Sequence, residues 1–454
     1  MGYKLQSARF YMFKYNNDTT ISISNLLKFI DRHKTERLLK IQENENFIIQ
    51  ENIAIDEDFL IQEEKGTFYG VRVRNNLSEV IVNTHLNYVM GNDITYTASV
   101  DEEEALSILN QVQRENGLKD QQRDIAEDMG SFGVGYQLVS DINRQIIVER
   151  IDAKEAFIIY SEDATPEPIF GVRYYKDFNN ILTVEVYSKY ELLRYKAEKA
   201  GGKEITLIEQ KINLYGIVPM IEYSNNRYHH SDFQKVKTYL IDLDKTETTE
   251  SNTIHYINDA IIVFTNVKAT AEKIKNMIDN RAVFLPTTDG LPADIKYLEK
   301  TMNINDMQTR LKDLRKSIYS QSFTPELTSE EMSKNVSGKA LEGMYVNTET
   351  IATKKQSQIR KGIMIRNDII FAIINENLVG KPYDYYSIMP QFKKNLPTLE
   401  SSELEDIIKL SNAGILSRKT ILEAVPTKFL DDLEKELERL AEEETEYVFP
   451  VLEE

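Results

Sequence analysis

Two groupings in this 454-residue chain carry residue types that chemistry needs. The first is glycine-rich: Gly130-Ser131-Phe132-Gly133-Val134-Gly135. A phosphate-cradling fingerprint of this kind follows a strand and opens a helix. Here the order is reversed, a helical stretch before and a strand-like one after, so the run reads as a helix-to-strand turn. The second grouping is His229-His230 with Asp232, Asp242 and Asp244. Adjacent histidines point apart, and two aspartates two positions apart on a helix face different sides. The spacing suits no metal; Asp232 instead fits a solvated helix start, near the positive end of the helix dipole. The chain has no cysteine, which removes thiolate nucleophiles, disulfides and cysteine-ligated metals together. The five histidines include none in a nucleophile-elbow context. Carboxylates are plentiful in any large chain, so a hydrolase built on them stays an open but unsupported reading. Asn335-Val336-Ser337 matches a glycosylation acceptor, which in an intracellular chain is chance.

Periodicity tells which elements hold these residues. Helices are expected over 22–43, capped by Ser24, and over 78–90, stopped by Gly91. Two more are expected over 102–115, capped by Asp101, and about 118–129. From Val134 the period changes to two, with strands at 134–139, 146–149, 156–160, 169–175, 181–187 and 205–214. A helix of about thirty residues follows from Ser231. Phe233, Val236, Leu240 and Leu243 form its apolar stripe, Asp244 to Thr253 carries no apolar side chain, and Ile254, Ile257 and Ile261 resume the stripe. A free helix with so polar a middle gains little from burial, so the segment is expected to pack in an assembly around water. Residues 260–300 read as a compact α/β insertion, 303–322 as a helix ended by Pro325, and 339–377 as one long helix. Residues 399–447 read as helical, with Leu430, Leu433, Leu437 and Leu440 at coiled-coil spacing among many glutamates. The fold class is α+β.

The 73 acidic against 55 basic residues give a net charge of −18. Tight static binding of nucleic acid wants a clustered basic face, and none is obvious. Transient passage of a duplex along walls it does not stick to is compatible with that balance, as is simple solubility. No apolar run is long enough to span a bilayer, and the first residues have no signal-peptide core, so an intracellular setting is expected.

One ordered set of short motifs is specific. It runs Phe29-Ile30-Asp31-Arg32-His33-Lys34, Ile81-Val82-Asn83-Thr84 with Tyr88 and Gly91, Phe132-Gly133-Val134-Gly135-Tyr136, and Arg150-Ile151-Asp152-Ala153-Lys154-Glu155-Ala156-Phe157. It continues with Gly216 to Asn226, Asp232-Phe233, Leu240-Ile241-Asp242, Ser333, Asn335-Val336-Ser337-Gly338 and Ala340-Leu341. In this order they resemble the portal proteins of tailed bacteriophages, the family typified by SPP1-like siphophages, over roughly residues 20–380. Asn83 and Asn92-Asp93 depart from the family's usual acidic residue and Lys-Pro.

The resemblance implies a non-enzymatic subunit without cofactor or metal. Copies would form a ring of about twelve at one capsid vertex, through which double-stranded DNA is packaged, retained and ejected. It implies a wing over 1–231, stem helices at 232–259 and 301–323, a clip at 260–300 and a tunnel loop at 324–338. A long helix and wing return would take 339–398, and a helical crown with acidic tail 399–454. Implied partners are the terminase large subunit, a head-completion adaptor, and the major capsid and scaffolding proteins, with no membrane. Lys334, Asn335, Ser337, Gly338 and Lys339 would meet DNA in the tunnel loop, Lys334 otherwise being a solvated loop lysine and Gly338 a helix entry. Asp244, Glu247 and Glu250 would line the bore and repel phosphate, or else sit on an outer face or in salt bridges. Val283, Phe284 and Leu285 would pair between subunits in the clip, or pack within one subunit. The competing reading is a head-completion or scaffold-type interaction protein without a pore.

Overall fold

The structure is a computed structural model that describes residues 12–16, 19–51, 71–202, 204–258, 261–265, 294–298, 304–326, 343–378, 380–393 and 407–414, with a few single residues besides. After a short strand β1 (Phe13–Tyr15), one helical run comprises α1 (Ile23–His33), a π-helical turn (Lys34–Leu38) and α2 (Leu39–Ile48). Its N-cap is Ser22 rather than Ser24: the Ser22 hydroxyl accepts from the Asn25 amide at 3.3 Å. Helix α3 (Leu77–Met90) ends at Gly91, as its sequence indicates. Strand β2 (Thr95–Thr97) and a short 3-10 turn (Val100–Glu102) lead into α4 (Glu103–Glu115) and α5 (Leu118–Phe132).

Eight strands follow: β3 (Val134–Ile142), β4 (Gln145–Ile151), β5 (Ala156–Ser161), β6 (Pro168–Lys176), β7 (Leu182–Ser188), β8 (Glu191–Ala197), β9 (Ile205–Ile212) and β10 (Met220–Ser224). They form two sheets. The larger has the order β1-β5-β6-β7-β8-β9, with only the β1–β5 pair parallel. Helix α1 lies on it, packing Leu26 and Ile30 among Phe13, Phe157, Val172 and Val184. The smaller sheet, β10-β3-β4, contains a tight hairpin whose corner residues Asn143 and Arg144 both have positive φ, as a two-residue turn between twisted strands requires.

Next come helix α6 (Lys237–Asn258), the antiparallel strand pair β11 (Ile261–Thr265) and β12 (Asp294–Leu298), and helix α7 (Ile304–Ser322). The long helix α8 (Val346–Asn377) crosses back over the smaller sheet, burying Ile359, Ile363 and Ile370 in one cluster with Ile125, Met129 and Tyr223. The approach is close at Gly362, where any Cβ would meet the Tyr223 ring at 2.2 Å. Strand β13 (Met389–Gln391) finally pairs with β2. The chain is thus a mixed α+β body from which one helix runs out and another runs back.

Candidate functional site

Helices α6 and α7 meet the body at one buried polar junction. Asp232, just before α6, places Oδ2 2.5 Å from Lys355 Nζ on α8 and 3.4 Å from His85 Nδ1 on α3. Its Oδ1 accepts from Asn225 Nδ2 at 2.9 Å. All three ionisable side chains are essentially inaccessible. Burial by itself would raise the Asp232 pKa, but the Lys355 ammonium, with the His85 ring beside it, holds the carboxyl well below the usual range. The other ring nitrogen of His85 lies 3.3 Å from Thr324 Oγ1, immediately beyond α7. Ser322 Oγ donates to that hydroxyl, and Thr348 Oγ1 of α8 donates to the Phe323 carbonyl. The start of α6, the end of α7, α3 and α8 are therefore tied at one point.

The glycine-rich run serves this junction and not a phosphate. Gly133 ends α5 in the left-handed region at φ 89°, and a Cβ there would fall 2.1 Å from the His229 carbonyl oxygen. The Asn225 amide donates to the Gly133 carbonyl and the Asp232 amide to that of Gly130. The turn is the cradle on which the segment before α6 rests.

A second buried charge cluster braces the smaller sheet. Glu222 accepts from the hydroxyls of Tyr136 (3.0 Å) and Tyr160 (3.2 Å), and lies 3.3 Å from His229 Nε2 and 3.7 Å from Arg37. Burial pushes its pKa up, but His229, Arg37 and Tyr136 together bring it down to about 2. The π-helical turn presents Arg37 here, with its guanidinium also over the Phe13 ring at 4.3 Å. Among the described residues no group of three or more histidine or acidic side chains gathers as a metal site would. His229 and Asp232 belong to the two separate clusters, Asp242 pairs with Arg310 at 2.7 Å, and Asp244 bonds Asn75.

The polar middle of α6 has a task that its sequence does not announce. Asp244, Thr248 and Asn252 repeat every four residues and are all buried. Each takes one backbone position of the extended segment 71–75: Asp244 Oδ1 accepts from the Asn75 amide at 3.0 Å, and Thr248 Oγ1 from that of Val73 at 3.0 Å. Asn252 accepts from the Val71 amide at 2.8 Å and donates to its carbonyl at 3.1 Å. A helix face here does the work of a neighbouring strand. This line of the run therefore packs against the chain itself rather than water; on it Asp244 is 6% exposed, and burial raises its pKa. Glu247 accepts from Asn75 Nδ2 and pairs with Arg315 of α7 at 2.5 Å, so it is a helix-to-helix brace. Glu250 is half-buried. Lys334, Asn335, Ser337, Gly338 and Lys339, expected in a tunnel loop, and Val283, Phe284 and Leu285, expected in a clip, lie outside the described residues. So does most of the leucine-spaced C-terminal segment.

Comparison with known proteins agrees with the sequence resemblance. The family model described as phage portal protein, SPP1 Gp6-like, matches residues 27–448. The chain belongs to that family. A portal protein of Clostridium phage phiCD119 is 23% identical over 426 residues, covering 88% of this chain and 90% of the relative. Among solved structures, a chain from the neck of an empty GTA particle, computed with C6 symmetry, aligns at a TM-score of 0.47 and 10% identity, covering 78% of this chain and 90% of that one. A neck chain of the native particle, computed with C12 symmetry, aligns at 0.43 and 10% identity, covering 77% and 88%.

Proposed function

We propose that copies of this phage portal protein close head to tail into a ring of about twelve, whose bore conducts double-stranded DNA at one capsid vertex. The observation that carries the reading is family membership across nearly the whole chain. In this reading 1–231 is the wing, α6 and α7 are the stem, 260–300 is the clip around β11 and β12, and 324–338 is the tunnel loop. Residues 339–398 return through the wing, and 399–454 form the crown. What supports the division is the out-and-back path: the body-side ends of α6 and α7 share the Asp232–His85–Thr324 junction, while their far ends lead into paired strands. The clip faces the terminase large subunit during packaging and the head-completion adaptor afterwards; the capsid and scaffolding proteins meet the wing and crown. The subunit is structural rather than enzymatic, and it works in the virion after assembly in the bacterial host.

Native mass spectrometry with negative-stain imaging of the full chain tests the ring. A closed ring with an open axis is expected, its fraction rising with ionic strength because salt screens repulsion between copies of so acidic a chain. A chain that stays single under every assembly condition overturns the reading.

A further inference from the structure

Where β13 returns to pair with β2, the surface is apolar, well braced and acidic at its rim. Val100 is 83% exposed, Tyr386 73% and Met389 42%. The fold brings them to one place. The Ser99 amide donates to Ser387 Oγ at 2.8 Å, and Val100 and Tyr386 are the chain neighbours of that bonded pair. Met389 lies opposite Thr97 in the β13–β2 ribbon. Buried Glu102 holds the loop, accepting from the Ser387 amide at 2.9 Å and from its hydroxyl at 2.5 Å. Tyr386 caps a stack of rings that starts in the core: Phe371 of α8 lies 4.4 Å from Tyr385, and Tyr385 4.9 Å from Tyr386. A ring held in one orientation from below and open to solvent above is pre-organised as a binding anchor.

The rim decides what kind of partner fits. Segments 98–104 and 381–391 carry Asp101, Glu103, Glu104 and Asp384 at the surface, with Glu102 beneath, against Lys381 alone. Such a rim repels phosphate and attracts cations. We infer that this surface docks a segment of another protein that carries arginine beside an aliphatic side chain. The guanidinium stacks on the open face of Tyr386 and meets the surrounding carboxylates. The aliphatic side chain covers Val100 and Met389, which are otherwise left to water. Arginine suits the site better than lysine, because stacking on a ring needs a planar cation. A second copy of this chain, meeting the surface patch to patch, is the weaker occupant, since it would bring two like-signed rims together. The inference concerns the surface of the single chain and requires only that this surface stay open when copies assemble.

The probe is a synthetic amphipathic peptide of leucine and arginine, titrated onto the full chain at low salt beside leucine–lysine and leucine–glutamate peptides. The arginine peptide is expected to bind several-fold tighter than the lysine peptide, and the glutamate peptide not at all. Tyr386→Ser is expected to weaken binding about tenfold, whereas Ile212→Ser, at another exposed apolar side chain on β9, leaves it unchanged. Asp101→Asn with Glu103→Gln is expected to flatten the salt dependence, and Asp124→Asn with Glu127→Gln, exposed on α5, to leave it as it was. Val100→Cys puts one thiol into a chain that has none. Maleimide is expected to label it at the same rate in the single chain and in the ring, and several-fold more slowly with the arginine peptide bound. Binding that ignores both Tyr386→Ser and the rim variant is general attraction to an acidic chain and overturns the proposal. A thiol shielded by assembly before any peptide is added gives the surface to a neighbouring subunit and overturns it equally. Native mass spectrometry of the same samples reports the ring separately: a chain that never closes counts against the ring, while the peptide titrations still decide this surface.

Discussion

Lys355→Met tests whether the junction beneath the paired helices is an ion pair that the fold depends on. Methionine keeps the length of the side chain and removes its charge. Asp232 then stays 3% exposed with His85 and Asn225 as its remaining polar neighbours. Removing one partner of a buried pair costs about 3–5 kcal/mol, because the other charge is left in a poor solvent. The magnitude must depend on pH. In the natural chain the Asp232 pKa is depressed, so its contribution is fully present above the unfolded value near 3.8 and is lost as pH falls through the folded one. In the variant the Lys355 charge no longer depresses it and the His85 ring alone opposes desolvation, so the pKa rises, protonation relieves the buried charge at a higher pH, and the cost of the substitution shrinks toward acid. Adding Asp232→Asn removes the orphaned charge and is expected to return the double variant to within about 2 kcal/mol of the natural chain. Urea unfolding at fixed protein concentration, at neutral pH and near pH 4, measures each quantity as a shift in midpoint. A single variant that costs under about 1 kcal/mol, or a double variant no more stable than the single, refutes the account of the junction.

Thr248→Val keeps shape but leaves the Val73 amide without its acceptor; a loss of about 1–3 kcal/mol is expected, with faster hydrogen exchange at Val71, Val73 and Asn75 read by mass spectrometry. Unchanged exchange there would dismiss the ladder. The Glu222 carboxyl is held at about 2 from an ordinary 4.5, which corresponds to about 3 kcal/mol present at neutral pH and lost as pH falls from about 4.5 through 2. Glu222→Gln is therefore expected to flatten the acid limb of the stability curve, and an identical limb would count against the cluster. Gly133→Ala forces a Cβ to within 2.1 Å of a backbone oxygen in a left-handed conformation. The soluble yield of that variant is expected to collapse, whereas full yield would mean that the turn can relax.

The elements whose signal is local are legible in the sequence. Residues 77–90, 118–132 and 304–322 declare themselves by stripe and stop, and the change of period at Val134 marks where sheet begins. Strand β10 is not legible, because what makes Met220–Ser224 a strand is β3, more than eighty residues earlier. Strand β8 lacks clean alternation because Arg194 is spent on Glu185 and Glu209 of its neighbours. Helix α6 illustrates the general limit. Its polar run is visible in the sequence, but composition cannot say whether a polar face meets water, a ligand or another part of the backbone. Spacing could have narrowed the choice: Asp244, Thr248 and Asn252 are short hydrogen-bonding side chains on one helical line, the arrangement that stitches an extended chain rather than one that merely stays wet. Lys355 left a similar trace, a charge on the otherwise apolar line of Ala352, Ile359 and Ile363. A polar residue on the buried line of a long helix requires a buried partner. The search for that partner leads to Asp232, and through His85 to the place where α6 and α7 join the body.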